Sequence, residues 1–244
     1  MFSSLLGVIG GGGGYAANAV DYNGSSDYLS SSTAFTGVDS TSFIFSAWIR
    51  LDGGNSTDME IVGITPANGG FIARRDSANK ISISSSYGGS SGATILSSST
   101  YTSSATWLHI LCSWNGTTGQ LYINNSSDLG SSTGGGNVMY YSAMTHNEVA
   151  RSFPSPSGRY FNGALSEIYF APNQYLDFSN SANRAKFILA GKPVDLGSDG
   201  STPTGVAPPL YMKNPAATAG TNSGTGGNLT KNGSPTTAST SPSD

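Results

Sequence analysis

The chain has 244 residues, a length that fits one large all-β domain or two small domains. Only 10% of the residues are charged, 36% are hydrophobic and the net charge is −3, so the chain lacks both the basic surface of a nucleic-acid-binding protein and the long apolar run of a membrane span. Its 3 Trp, 12 Tyr and 10 Phe residues are too many aromatic side chains for a disordered chain.

Residues 1–14 combine a short apolar stretch with a run of glycines at 10–14. A secretory signal peptide has a positive start and a longer apolar run, so a signal peptide is the weaker interpretation. We predict a flexible N-terminal arm, an apolar hook on a glycine hinge that docks onto a neighbouring protein. A frayed terminus without a role is the alternative.

From Tyr15 to about residue 170, short apolar runs lie between clusters of Gly, Ser, Asn and Asp, a pattern typical of strands and turns. Residues 42–51 (SFIFSAWIRL) alternate, and one predicted face carries Phe43, Phe45, Ala47, Ile49 and Leu51. The other predicted face carries Ile44, Trp48 and Arg50. Residues 107–114 (WLHILCSW) alternate in the same way and lead through a turn into residues 120–124, which predicts a β-hairpin.

Further short strands are predicted at residues 61–64, 70–75, 80–84 and 164–170. In the last of these (ALSEIYF), one predicted face carries Leu165, Glu167 and Tyr169, and the other carries Ser166, Ile168 and Phe170. Many short strands at this spacing predict an all-β, two-sheet antiparallel jelly-roll sandwich. Period-two alternation predicts that each sheet has one packed face and one wetter face.

Residues 179–190 (SNSANRAKFILA) break the β pattern, with helical spacing at Ala182, Ala185, Lys186 and Leu189. Because Gly191 and Pro193 follow, we predict a short helix of two or three turns. From about residue 216 to 244 there is almost nothing to bury, so a low-complexity C-terminal arm is predicted there, either disordered or laid on another surface. The sandwich itself is predicted at residues 15–215.

No catalytic constellation stands out in the sequence. Nucleophilic catalysis needs a base beside the nucleophile, but His109 lies within a predicted strand and His146 has no motif around it. Glycoside hydrolysis needs two carboxylates, and Glu60, Glu148 and Glu167 are not paired on any strand. We therefore predict a protein that is not an enzyme. A hydrolase with a degenerate site, with Glu167 as its candidate acid, is a weaker hypothesis.

The sequence supports no metal site or cofactor. Calcium needs several oxygen ligands in one loop, and the acidic loop residues are dispersed, at Asp21, Asp27, Asp52, Asp58 and Asp128. Calcium is therefore possible but unsupported. Cys112 cannot form an internal disulfide, which favours assembly in a reducing cytosol over export.

Tyrosines near the predicted loops are the candidate ligand-binding residues. Sugar binding requires exposed aromatic faces beside amide and carboxylate groups. The candidates for a glycan site are Tyr87, Tyr101, Tyr140, Tyr141 and Tyr160. The alternative is that these side chains pack in the core or in an interface.

Four segments carry a resemblance to a known family. Residues 18–29 (NAVDYNGSSDYL) and 45–51 (FSAWIRL) resemble the opening strand and the aromatic strand of laminin G-like, concanavalin A-like domains. Residues 107–125 (WLHILCSWNGTTGQLYINN) resemble their central hairpin, and residues 161–170 (FNGALSEIYF) resemble their closing strand. The resemblance covers about residues 15–192. It implies the sandwich fold and does not by itself imply one function.

The segment 169–196 and the GSDGSTPTG that follows it resemble laminin G-like proteins encoded by tailed bacteriophages. The resemblance implies a non-enzymatic structural protein of a virion, made in the host cytoplasm, either a capsid decoration protein or a tail-associated component. Low charge density suits a surface that packs against copies of itself, so we expect a homo-oligomer that also contacts other virion proteins. The family's calcium-site aspartates have no residue-by-residue match here.

A glycan-binding module for attachment to a host surface is the alternative function. The relatives of the fold and the tyrosines near the loops favour it. No nucleic acid or membrane partner is expected from the composition.

Overall fold

The computed structural model describes residues 14–66, 69–88, 90–151 and 159–244, so the predicted N-terminal arm lies outside the described residues except for Gly14. Within these ranges, two antiparallel sheets form a sandwich, which confirms the predicted all-β fold. The strands are β1 (Val20–Asn23), β2 (Tyr28–Ser31), β3 (Phe43–Leu51), β4 (Met59–Thr65), β5 (Gly69–Arg75), β6 (Ile81–Tyr87), β7 (Ser90–Ser97), β8 (Ser104–Trp114), β9 (Gly119–Ile123), β10 (Ser126–Ser127), β11 (Leu129–Gly134), β12 (His146–Val149), β13 (Asn162–Pro172), β14 (Ile188–Leu189), β15 (Lys192–Pro193), β16 (Leu210–Met212), β17 (Thr230–Asn232) and β18 (Thr236–Thr237).

Sheet A has the strand order β10-β9-β8-β3-β13-β1-β18, and β16 also pairs with β13. Sheet B has the order β11-β7-β6-β5-β4-β12-β2-β17. Strands β14 and β15 form a separate short hairpin. Neighbouring strands in both sheets are antiparallel, so short loops and hairpins can connect them.

The core lies between the two sheets. The predicted inward face of β3 is confirmed, because Phe43, Phe45, Ala47, Ile49 and Leu51 all belong to the main buried cluster. From sheet B, Phe71 packs against Phe43 and Phe45, with ring centroids 5.2 and 5.7 Å apart. Burying an aromatic side chain of this size stabilises the fold by about 1.5–3 kcal/mol.

The outer face of sheet A, which is turned away from sheet B, is also largely buried. The prediction of a wetter face is therefore wrong for this sheet. Its outer face carries a second apolar cluster, formed by Ile44, Leu111, Tyr169, Ala171, Phe178, Phe187, Leu196 and Tyr211. Chain from beyond β13 folds back over the sheet and supplies Phe178, Phe187 and Leu196. Alternation along one strand cannot reveal this cover because the covering residues are distant in sequence.

Strand β13 contains a bulge that changes which residues face the core. Its register against β3 shifts between Ser166 and Tyr169, and Glu167 has a φ of +49°. A bulge places one extra residue on one strand, so the alternation reverses beyond it. Leu165, Ile168 and Phe170 therefore share the core, which corrects the predicted grouping of Leu165 with Glu167 and Tyr169.

The predicted helix within residues 179–190 is present but shorter than two turns, at α1 (Ser181–Arg184). The Asn180 side chain caps it by accepting a hydrogen bond from the Ala182 amide. The rest of the predicted segment forms the β14–β15 hairpin, whose turn uses positive φ angles at Ala190 and Gly191. In the part of the chain that the structure describes, no helix has the length and hydropathy to cross a bilayer.

The C-terminal segment contributes an edge strand to each sheet, whereas the sequence predicts a separate arm at residues 216–244. Strand β17 pairs with β2 in sheet B, and β18 pairs with β1 in sheet A. Asp27 accepts a 2.8 Å hydrogen bond from the Ser234 amide, and Leu229 is buried in the core. Hydrogen bonds hold this segment on the two sheets more than burial of apolar side chains does. For this reason its composition contains few apolar residues.

Candidate functional site

A cavity of about 460 Å³ lies on the outer face of sheet A. It is called here the Trp107 groove and is lined in part by Trp48, Trp107, Asn124, Ile188, Thr240 and Asp244. Its volume is within the range of about 300–1,000 Å³ typical of small-molecule sites.

Two strands of sheet A position the indole rings of the groove. Trp48 on β3 is paired across the sheet with His109 on β8, and their rings lie 4.7 Å apart. Trp107 precedes His109 by two residues and therefore projects on the same face. Trp48 is buried, whereas Trp107 is partly exposed and offers an aromatic surface to a ligand.

Residues within 240–244 form another wall of the groove. The Trp107 indole nitrogen donates a 3.2 Å hydrogen bond to the Thr240 hydroxyl, which also accepts one of 3.0 Å from Arg50. The Asp244 carboxylate accepts a 2.7 Å hydrogen bond from the Ser241 amide. The groove therefore combines indole surface with hydroxyl and carboxylate groups.

Asn124 adds an amide to the groove at the end of β9. Its backbone has a φ of +49°, a conformation that asparagine adopts more readily than most residues. Its side-chain oxygen accepts a 2.7 Å hydrogen bond from the His109 amide, which fixes its orientation. Asn124 is exposed and lies within the lining of the groove.

Carboxylates outnumber cations beside the groove, where Arg50 faces Asp21 and Asp52 and the lining includes Asp244. The Arg50 guanidinium lies 5.8 Å from the centroid of the Trp107 ring and contacts Asp52 at 2.6 Å and Asp21 at 3.8 Å. The hydrogen bond to Asp52 raises the pKa of Arg50. Burial lowers the pKa of His109 to about 3, so its ring is neutral at physiological pH. The arrangement suits an uncharged ligand that has both apolar faces and hydroxyl groups.

The tyrosines predicted as ligand residues lie outside the Trp107 groove and are not gathered in one place. Tyr101 donates a 2.6 Å hydrogen bond to Asp128, and Tyr160 packs edge-on against Tyr28 with ring centroids 6.0 Å apart. Tyr140 is exposed. The side chain of Tyr87, at the end of β6, lies outside the described part of the structure.

The sequence predicts Tyr141 as a ligand-binding residue near a loop, but the structure places it in the core. Its side chain is completely buried in the core and packs against Phe170 with ring centroids 5.5 Å apart. A buried ring cannot present a face to a sugar, so Tyr141 is a core residue. The loop-like sequence around it forms a single 3₁₀ turn, Tyr141–Ala143, which places the ring inward.

The predicted glycan site did not include Trp48 or Trp107. The signal for both was present in the alternation of β3 and β8, because each tryptophan lies on the face opposite the predicted core residues. Thr240 and Asp244 carry no such signal. Their place beside the groove depends on the C-terminal segment crossing the sheet, which sequence patterning does not reveal.

The three glutamates are engaged by different partners. Glu167 accepts hydrogen bonds from two tyrosines, and Glu148 pairs with Arg151. Glu60 lies 3.3 Å from Arg159, and burial raises its pKa to about 7. Each of these carboxylates is therefore engaged by a cation or by hydroxyl donors.

Cys112 and the acidic side chains are the remaining groups that could react or bind a metal ion. Cys112 is buried in the core, and burial raises the pKa of its thiol, so it is held as a neutral side chain. Among the described residues, no group of three or more His, Cys, Asp or Glu side chains has the arrangement to hold a metal ion.

The fold and the groove define a lectin-like β-sandwich. Residues 23–172 match the model of the concanavalin A-like lectin/glucanases superfamily, and the chain belongs to this family. The resemblance stated from the sequence is thereby confirmed at the level of the superfamily.

Solved structures share this fold at low sequence identity. A candidate carbohydrate-binding protein from Bacteroides ovatus is similar with a TM-score of 0.61 and 15% identity, over 92% of this chain and 60% of that chain. The LG1-3 region of the laminin alpha2 chain is similar with a TM-score of 0.51 and 10% identity, over 68% of this chain and 33% of that chain. The match spans three fifths of the Bacteroides chain. The curated proteins contain no match.

Proposed function

We propose that the protein is a carbohydrate-binding module that holds a neutral sugar in the Trp107 groove. The observation that carries this proposal is the partly exposed indole of Trp107 beside the amide of Asn124 and the carboxylate of Asp244. Tryptophan offers a large apolar face with a polar N–H at its edge, which suits a ring that is apolar on its faces and polar around its rim.

The excess of carboxylates beside the groove supports a neutral sugar over an acidic one. The Arg50 guanidinium lies 5.8 Å from the centroid of the Trp107 ring, and Asp52 and Asp21 already engage it. An additional anionic ligand would have to approach these two carboxylates. The hydroxyl and amide groups instead favour hydrogen bonds to uncharged hydroxyl groups.

The superfamily and the similar Bacteroides ovatus protein support the same class of ligand. That protein is described as a candidate for carbohydrate binding. At 15% identity the likeness concerns the fold, so the proposal for this chain depends on the groove itself.

A screen of the full chain against immobilised neutral and acidic glycans tests the proposal. We expect saturable binding to a subset of the neutral glycans, and we expect soluble monosaccharide of the same type to compete for it. Absence of saturable binding to every neutral glycan would contradict the proposal.

A structural role in a bacteriophage virion is a second proposal. The low charged fraction of 10% favours packing against other protein surfaces, and the sequence resemblance favours a phage source. It predicts a homo-oligomer, contacts with capsid or tail proteins, and localisation in the virion. Solution mass by light scattering and analysis of purified particles test it, and a monomer absent from particles would contradict it.

A further inference from the structure

Sheet B carries a second cavity, of about 380 Å³, away from the Trp107 groove. It is called here the serine pocket and is lined by Ser30, Ser31, Ser32, His146, Glu148, Arg151 and Thr230. Every one of these lining side chains is polar. An apolar ligand would displace water from this polar surface without replacing its hydrogen bonds, so the lining favours a ligand with many hydrogen-bonding groups.

Strand register places three of these side chains in one row. Ser30 on β2 is paired directly with Glu148 on β12 and with Thr230 on β17. Directly paired residues project on the same face of a sheet, and neighbouring strands lie about 4.8 Å apart. A carboxylate and two hydroxyl groups therefore form a line across three strands.

The Glu148–Arg151 pair is held rigidly at one end of this row. Glu148 is only 3% exposed, and Arg151 reaches it with Nε at 3.1 Å and with a second bond from Nη2. The Arg151 guanidinium carbon also lies over the ring of Tyr28, 3.5 Å from its centroid. A bidentate pair stacked on an aromatic ring has little freedom to rearrange.

The chain turns through a strained residue to reach this position. Ala150 has a φ of +65°, in the left-handed region that alanine rarely adopts. Its amide is held by a 2.9 Å hydrogen bond to the Ile61 carbonyl. Just beyond the end of β12, the Arg151 side chain meets Glu148 and Tyr28.

We propose that the serine pocket is a second binding site, for a neutral polyhydroxyl ligand such as one sugar residue of a glycan. The paired charges of Glu148 and Arg151 cancel, so neither an anion nor a cation is favoured. The ligand class rests on the proposed function, but the site is independent of the Trp107 groove. Two sites on different sheets would let one protein bind two segments of a glycan, with an affinity gain from multivalency.

Nuclear magnetic resonance of the full chain locates the binding sites directly. The probes are glucose, galactose and N-acetylglucosamine, each titrated separately into the ¹⁵N-labelled protein to about 100 mM, a concentration that detects the millimolar affinities of single sugar units. We expect at least one sugar to shift the amide resonances of Ser30, Glu148 and Thr230 in a saturable way.

Two substitutions test whether the row of hydroxyl groups makes the contacts. Ser30→Val and Thr230→Val together remove both hydroxyls and keep side chains that suit a strand. Loss of two hydrogen bonds should weaken binding at the pocket roughly tenfold or more. Thr94→Val is the matched control, because Thr94 lies half-buried on β7 of the same sheet outside the pocket lining.

Each pattern of shifts gives a distinct result. Saturable shifts at the serine pocket support this inference, whether or not the Trp107 indole resonance also shifts. Saturable shifts at the Trp107 groove alone overturn this inference and leave the proposed function in place. Absence of shifts at both sites overturns the inference, and the glycan screen then decides the proposed function separately. Unchanged binding at the pocket in the folded double variant also overturns it.

Discussion

The hydroxyl of Tyr15 donates a 2.8 Å hydrogen bond to the carboxylate of Glu167, although 152 residues separate them in sequence. Tyr211 donates a second hydrogen bond, of 2.7 Å, to the other carboxylate oxygen. Glu167 sits at the bulge of β13, so its side chain leaves the core and meets both tyrosines on the outer face of sheet A. Burial raises its pKa to about 7, and the two tyrosine hydrogen bonds act in the opposite direction.

Glu167→Gln should change how the free energy of unfolding depends on pH. The folded protein holds the Glu167 proton up to a pKa of about 7, whereas the unfolded chain releases it near 4.5. The wild-type protein should therefore lose roughly 3 kcal/mol through this group as the pH rises from 4.5 to 7, and the loss should level off above that range. The variant has no such proton to release.

Urea unfolding of both proteins between pH 4.5 and 8 measures this difference. Burial also raises the pKa of Glu60 to about 7. Because Glu60 is present in both proteins, its contribution to the pH dependence of stability cancels in the comparison. A difference between wild type and variant that stays constant with pH would contradict the placement of Glu167.

His109 should remain neutral through the range in which an exposed histidine titrates. Burial lowers its pKa to about 3, and its Nε2 lies 2.9 Å from the Ser46 hydroxyl. Because the unfolded chain binds a proton near pH 6.5, this residue should reduce the stability of the fold as the pH falls below that value. Ring ¹³C shifts of His109 should not change between pH 8 and 5. A midpoint near 6.5 would show that the ring is accessible to water.

Gly163→Ala should destabilise the sandwich strongly. A Cβ at this position would lie 2.0 Å from the Arg50 carbonyl oxygen, and the backbone φ is +141°. Both the collision and the conformation oppose any side chain, so we expect a loss of about 3 kcal/mol or more. Gly136→Ala is the matched control because its nearest neighbour would be 3.6 Å away. Equal midpoints of thermal unfolding for the two variants would count against the close approach of β13 to β3.

Removal of residues 216–244 should lower the thermal midpoint and promote aggregation. It would uncover the edges of β1 and β2 and remove Leu229 from the core. Uncovered edge strands present unpaired amide and carbonyl groups to other chains. Differential scanning fluorimetry and light scattering on the full and shortened chains measure both effects. A shortened chain that is monomeric and equally stable would mean that the segment is a dispensable arm.

The inward face of β3 was predictable because its alternation is local, from Phe43 to Leu51. The bulge at Glu167 was not predictable, since a single inserted residue leaves no mark in the composition of the strand. The buried Asn222 shows why the C-terminal segment was difficult to interpret. It is only 8% exposed and bonds the Tyr211 amide at 2.9 Å and the Pro209 carbonyl at 2.8 Å. Polar residues that fold through such bonds lack the apolar periodicity on which sequence interpretation depends.

The candidate site was predictable only in part. The sequence placed Trp48 and Arg50 on the outer face of their strand, but it did not bring Trp107 or Thr240 to them. That arrangement depends on the pairing of β3 with β8 and on the path of residues 239–244 across the sheet. Loop position was a poor guide for Tyr141, because a short turn was sufficient to bury its ring.

Isothermal titration calorimetry on Trp107→Ala tests the central claim most directly. The ligand is the glycan that binds best in the screen, and Tyr175→Ala serves as the control because Tyr175 is an exposed aromatic residue outside the groove lining. We expect Trp107→Ala to bind at least about tenfold more weakly and Tyr175→Ala to bind like the wild type. A folded Trp107→Ala protein with wild-type affinity would contradict the claim that this groove binds the sugar.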